Sequence, residues 1–252
     1  MFSFIYNTFF YNPLYNGLVF LIDVLPGADV GLAVVILTVL VKFVLFPLSQ
    51  KALKAQASIK LAQKEIEEVK KKYADNRQLL AQEMLTVYKK YNINPFAGFL
   101  TLLIQIPVLF ALYFIFFRGG LPNINVDILY SFISAPETVN MHFLGIFDVS
   151  SRSVVAAILV GVTQFFQARY ALAKQELPTE AGFKSDFVRG LHIQMKYVFP
   201  VIISLIAYSL IAVVSLYWIV SNIFGICQEL YLRKRAREEG LKNVIEAEVV
   251  TK

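Results

Sequence analysis

The chain has 252 residues, 57% hydrophobic, 14% aromatic and only 17% charged, with a mean hydropathy of +0.60. A soluble domain spends about a quarter of its residues on charge. With the long uncharged runs below, this composition excludes a disordered chain and an ordinary single-core soluble fold, and points to an all-α integral membrane protein. The net charge of +6, from 24 Lys and Arg against 18 Asp and Glu, would suit nucleic acid, but in a membrane protein its placement matters more than its sum.

Met1–Ile22 is uncharged and rich in Phe and Tyr, yet Asn7, Thr8, Asn12, Pro13, Asn16 and Gly17 interrupt it. That mixture predicts a helix lying in the outer membrane interface within residues 1–30, with an extra span as the alternative. There is no basic n-region, small-residue cleavage pattern or Arg-rich transit signal, so no removed targeting peptide is expected. A span needs about 20 apolar residues to cross a hydrocarbon core of about 30 Å. The first is 31–48, whose single charge is Lys42. In 49–94, Ala52, Ile59, Ile66, Val69 and Tyr73 recur at helical intervals among Lys, Glu and Gln, as do Leu80, Met84, Val87 and Tyr91. This predicts a cytoplasmic hairpin of two amphipathic helices, with Asp75 or Asn76 capping the second. The hairpin is either a solvated linker or a mobile platform for a partner. Residues 95–117 form an uncharged second span. Residues 118–152 form an external loop with only its boundary arginines, Arg118 and Arg152. A third span covers 153–169, and a polar loop 170–196.

Tyr197–Gln228 runs 32 residues without a charge, about 48 Å as a single helix. Basic residues decide its course. The segment 49–94 holds ten, 169–196 five and the tail beyond Glu229 six, whereas residues 1–30 hold none. Short cytoplasmic loops carry the excess of Lys and Arg, so these three segments belong on one side, which requires the stretch to cross twice. The expectation is five spans, the last two at 197–210 and 211–229, with the N-terminus outside and a cytoplasmic tail at 230–252. There, Arg233, Lys234, Arg235 and Arg237 either anchor the topology on anionic lipids or touch an RNA-rich partner such as a ribosome.

Lys42 lies nine residues before the next charge, Lys51, about 13 Å inward on a helical rise. A lysine at mid-span costs about 2.5–3.5 kcal/mol, which points to a partner or to water; snorkelling to the interface is the alternative. Other spans carry polar pairs three or four apart, each on one helix face: Thr101 with Gln105, Gln164 with Gln167, Tyr217 with Ser221, and Trp218 with Asn222. Bonding helix to helix is the competing use of these side chains. No span offers Lys42 an acidic residue, so a cation among neutral hydrogen-bonders fits a wet cavity better than a buried ion pair. No P-loop, HExxH or G-x-S-x-G accompanies it, and no intramembrane Asp or Glu, which argues against an enzyme. The lone Cys227 excludes an intramolecular disulfide, and His142 and His192 fall outside the spans. No cofactor or metal is implied.

Four stretches carry a family likeness: Gly31–Leu48 with its intramembrane base, Asn94–Gly98 running on to Gln105–Val108, Gly161–Gln167, and Leu216–Asn222, the most specific. In order and spacing the chain resembles the YidC/Oxa membrane-protein insertases from about residue 10 to 238. The resemblance implies five helices around a hydrophilic groove open to cytoplasm and lipid but closed outside. That groove would be built from Lys42, Thr101, Gln105, Gln164, Gln167, Tyr217, Trp218, Ser221 and Asn222. It also implies nascent membrane proteins as substrates, the Sec translocon and ribosome as partners, action as a monomer, and a bacterial plasma membrane location. Lys42 stands where the family usually has arginine, so the charge is kept and the guanidinium fork lost. Near the last hairpin, Ile211-Ala212-Val213 replaces a frequent Pro-x-Gly.

The expected mechanism needs no nucleotide: a polar client segment is hydrated in the groove while its apolar helix slides into lipid. A small transporter or channel using Lys42 is the main rival, disfavoured because no internal repeat is evident. A structural scaffold is another, and an intramembrane enzyme the weakest.

Overall fold

The computed structural model describes residues 2–94, 97–117, 121–172, 190 and 193–250, with all side chains except those at 2, 53–54, 56–57, 60, 97–104, 171–172 and 236–250. Most of the expected loop 170–196, together with Pro95, Phe96 and Arg118, lies outside the described residues. The described chain is mostly helical. In order it forms α1 (Phe2–Tyr6), α2 (Asn12–Val24), α3 (Val30–Val44), α4 (Phe46–Leu61), α5 (Gln63–Lys72), α6 (Arg77–Lys90), α7 (Ala97–Phe117), α8 (Val154–Leu172), α9 (Phe199–Ser209) and α10 (Ala212–Val250). Two short antiparallel strands, β1 (His142–Phe143) and β2 (Phe147–Asp148), precede α8. These elements fall into two compact units, Met1–Lys42 with Leu109–Lys252, and Phe43–Val108.

In the first unit α2 ends at Leu25, because the residue before a proline is pushed away from helical backbone. Gly27 and Ala28 then adopt left-handed φ values of 76° and 50°. Asp29 caps α3: one carboxylate oxygen accepts from the Leu32 N–H at 2.9 Å, the other from the Leu144 N–H at 2.7 Å. Helices α2 and α3 meet at Gly17, where a Cβ would lie 3.2 Å from Leu37 Cδ1. Two residues of α2 fasten the stretch that follows α7. The Tyr15 hydroxyl accepts from the Asn125 N–H at 2.7 Å, and buried Asn16 donates to the Ile128 carbonyl at 2.9 Å and accepts from the Tyr130 N–H at 2.6 Å. The polar interruptions that made this segment ambiguous therefore include loop anchors.

Helices α8, α9 and α10 pack as a group. Ser204 Oγ donates to the Ala157 carbonyl at 2.8 Å and Gly161 faces Pro200 and Ser204, so α9 runs antiparallel to α8. Thr163 meets Asn222, Gln167 meets Gly225 and Tyr170 meets Arg233, so α10 runs parallel to α8. Their shared core is Ala157, Val160 and Ala207, joined by Ile203, Trp218 and Ile219. The long uncharged stretch breaks at Leu210, which is extended (φ −102°, ψ 167°). Neither Gly nor Pro marks the break. Instead the Ser151 and Val149 carbonyls accept from the Ala212 and Val213 N–H groups at 2.7 and 2.9 Å, supplying partners that the first turn of a helix lacks. Arg169, Lys196 and Arg233 thus lie at one end of the group, and Ser151 and Ala212 at the other.

Among the described residues, Ala212–Arg235 alone is long and apolar enough to cross a bilayer by itself. Val30–Val44 and Phe46–Ala52 reach that standard only as a pair, and Gln105–Phe117 and Val154–Tyr170 are shorter apolar helices. The expected first span, 31–48, is interrupted at Leu45. Pro47 explains this, having no N–H to give the Phe43 carbonyl.

The second unit holds the amphipathic hairpin. Asn76 caps α6, its side-chain oxygen accepting from the Leu79 N–H at 3.1 Å. Helix α6 ends with Asn92 left-handed (φ 52°) and the Ile93 N–H returning to the Tyr88 carbonyl at 2.8 Å, a Schellman-type stop. Ala62, Ile66, Val87 and Ile93 form the core, with Val69, Met84, Tyr88 and Tyr91 against it. Of the expected apolar stripe, Ile59 instead faces outward. Lys90 Nζ lies 2.7 Å from Glu65 across the pair, which lowers the Glu65 pKa and raises that of Lys90.

Candidate functional site

Lys42 sits in the last turn of α3 and is half-buried. One turn earlier, buried Thr38 donates to the Val34 carbonyl at 2.6 Å, so that hydroxyl is satisfied within its own helix. Gln105 is half-buried and belongs to the second unit; the Thr101 side chain lies outside the described residues.

Helix α10 separates its polar residues into two rows. At 100° per residue, Trp218, Asn222 and Gly225 fall within about 60° of one another, while Tyr217, Ser221 and Gln228 fall within about 40°, roughly a quarter turn away. The first row holds helices together. Asn222 Nδ2 donates to Thr163 Oγ1 at 3.1 Å, and Thr163 donates to the Leu159 carbonyl at 2.8 Å. Trp218 packs on the Ala157–Val160–Ala207 core. Gln167 lies across Gly225, its Nε2 only 2.9 Å from where a Cβ would stand. Gln164, half-buried on α8, stands one residue from this contact line.

The second row is different. Tyr217, Ser221 and Gln228 are 1%, 7% and 8% exposed. Ser221 stands beside the Tyr217 hydroxyl, and apart from each other the Tyr217 hydroxyl, Ser221 Oγ and Gln228 Nε2 have no hydrogen-bond partner among the described residues. A buried polar atom left unpaired costs about 1–3 kcal/mol, and native structures contain few. These three buried polar side chains share one face of a largely apolar helix. Gln228 was missed in the sequence because it closes the uncharged run; its spacing of seven from Ser221 was the available signal.

In the tail, Arg233 is engaged: its Nε is 2.8 Å from Glu229 Oε1, and its guanidinium donates to the Tyr170 carbonyl and lies over the Tyr170 ring at 5.9 Å. It ties α10 to the end of α8. Lys234 and Arg235 are exposed, and the Arg237 side chain lies outside the described residues. Among the described residues no group of three or more His, Cys, Asp or Glu is placed to hold a metal ion.

A family model described as "60Kd inner membrane protein" matches residues 21–239. The chain is 30% identical to a "Membrane protein insertase YidC" of Clostridium tetani, over 83% of this chain and 84% of that protein. It is 27% identical to the one of Fusobacterium nucleatum, over 90% of this chain and 98% of the other. For the one of Oleidesulfovibrio alaskensis the identity is 30% over 91% of this chain but only 39% of a longer relative. The match covers the helices just described, from α2 into the basic part of α10, and extends nearly end to end in relatives of similar length. The chain therefore belongs to the YidC/Oxa family and is a membrane protein insertase, not an enzyme.

Proposed function

We propose that this chain passes nascent membrane-protein segments from the cytoplasm into the bilayer through a hydrated groove, without nucleotide hydrolysis. The observation that carries the reading is the strip of buried polar side chains at Tyr217, Ser221 and Gln228, met by no polar group of another helix among the described residues, on an apolar helix. A polar client segment meets polar partners there, and Lys42, with Thr101, Gln105 and Gln164, keeps the path wet, while Gln167, packed on Gly225, belongs to the wall. The client's apolar helix then moves into lipid, driven by burial at about 25 cal/mol per Å². Trp218 and Asn222 act as supports of the groove wall.

The proposed topology is five spans around this groove, N-terminus outside and C-terminus cytoplasmic. Its support is the placement of Arg169, Lys196 and Arg233 at one end of the α8–α9–α10 group, as the positive-inside rule requires. The same basic end would meet anionic lipids, the ribosome and the Sec translocon, through Lys234, Arg235 and Arg237 in particular, with a single copy of the chain sufficing. The test is insertion of a short-tailed client into proteoliposomes by Lys42→Ala, Lys42→Glu and Lys42→Arg. Arg is expected to retain activity while Ala and Glu lose it for clients with acidic outer segments. Wild-type rates for Ala and Glu with every client would overturn the role of Lys42.

A further inference from the structure

The hairpin between β1 and β2 presents an apolar tip. Leu144 and Ile146 are 61% and 67% exposed. Leu144 is held at φ 48°, a conformation leucine rarely adopts, with its N–H on Asp29 and the Ile146 N–H returned to the Phe143 carbonyl at 2.8 Å. The tip is fastened to the start of two helices. Phe143 packs so tightly on Gly31 that a Cβ there would lie 2.5 Å from its side chain, and the Val30 N–H donates to the Asn140 carbonyl at 2.9 Å. At the hairpin's other side, the Val149 N–H donates to the Met141 carbonyl and the Val149 carbonyl accepts from Val213, in the first turn of α10. Nearby in the same segment, Phe132 is 79% exposed and its ring tilts against Tyr130.

Two facts choose the occupant. Val154, Val155 and Ile158, at the start of α8, the helix that follows this segment, are also exposed and apolar, as on a helix that a membrane protein turns to lipid. Between Arg118 and Arg152 the chain carries no Lys or Arg, only Asp127, Glu137 and Asp148 as charges, which matches the side of the membrane opposite the basic segments. We propose that Leu144–Ile146 is a wedge seated among the outer-leaflet headgroups and upper acyl chains, fixing the outer end of α3, the helix that carries Lys42. Small apolar tips seat at this depth by burying area at the headgroup boundary.

The test uses the full-length chain with Cys227→Ser, reconstituted in phosphatidylcholine–phosphatidylglycerol vesicles. A nitroxide is placed at Ile146→Cys, with Glu137→Cys, exposed in the same segment, as the control. Collision with oxygen relative to a water-soluble nickel chelate is expected to be severalfold higher at 146 than at 137. Equal ratios at the two sites would overturn the wedge. So would a label at 146 shielded from both reagents, which marks a protein partner or a second copy. Should Ile146→Cys fail to fold, Leu144→Cys gives the same readout at the other side of the turn.

Discussion

Replacing Tyr217 by phenylalanine separates a wet strip from a dry one. The ring is 1% exposed and, apart from the neighbouring Ser221, its hydroxyl has no hydrogen-bond partner among the described residues. Were that oxygen permanently dry, removing it would relieve an unpaired buried group and stabilise the protein by about 1–3 kcal/mol. If instead the hydroxyl is solvated at rest and bonded to the client during passage, stability changes by less than about 0.5 kcal/mol, as at an ordinary hydrated site. The client then loses one hydrogen bond of about 0.5–1.5 kcal/mol, equivalent to a fall of about two- to thirteen-fold in the rate or affinity it controls. Unfolding in mixed micelles measures the first quantity, and initial insertion rates in proteoliposomes measure the second. A variant stabilised by 1 kcal/mol or more that inserts clients at the wild-type rate would refute hydration of the strip.

Three further outcomes follow from the packing. Gly161→Ala places a methyl 3.0 Å from Ser204 Cβ, and overpacking of that kind costs about 1–3 kcal/mol; faster amide exchange in α9 is the readout. Arg233→Ala removes the tie from α10 to Tyr170 and Glu229 and lowers stability by about 1–3 kcal/mol, whereas exposed Lys234→Ala stays within about 0.5 kcal/mol in the same unfolding assay. In the second unit the Glu65 carboxyl is held below its ordinary range by Lys90, and the Lys90 ammonium above its own. The depressed acid contributes stability at neutral pH that is lost as pH falls through its lowered pKa. The raised base contributes below the ordinary lysine range and is lost as pH rises above it. Amide protection factors in the hairpin, taken after correction for the intrinsic pH dependence of exchange, are therefore flat across neutral pH and fall at both extremes, and Glu65→Gln abolishes both falls.

The sequence revealed what single helices and charge blocks determine. The basic segments anticipated that Arg169, Lys196 and Arg233 share one end of the α8–α9–α10 group, because charge asymmetry is written locally. The stripe of Ile66, Val69, Met84 and Val87 was legible because helix periodicity places these residues on one face, and the cap was narrowed to Asp75 or Asn76, of which the structure uses Asn76. Long-range partners were not. The break at Leu210 has no Gly or Pro; its donors are met by Val149 and Ser151, some sixty residues upstream. Asn222 and Trp218 looked like Tyr217 and Ser221 in the sequence, since all four are polar or amphipathic and four apart. Only the position of α8 shows that one row meets Thr163 and Gln167 while the other finds no polar partner on a neighbouring helix among the described residues. Arg233 reads as one more cation of a basic run until Tyr170 is found beside it. The β1–β2 hairpin was invisible as well, because two-residue strands stabilised by the Asp29 cap have no periodic signature.

The most direct measurement is reaction of a cysteine at position 42, in a Cys227→Ser background, with a membrane-impermeant thiol reagent applied from the cytoplasmic face. Lys51→Cys, exposed on α4, marks full access, and Leu40→Cys, apolar and exposed on α3, marks a lipid-facing site. A groove that keeps Lys42 wet predicts labelling at 42 that approaches the rate at 51 and leaves 40 unmodified. A cysteine at 42 as inert as one at 40 would contradict it.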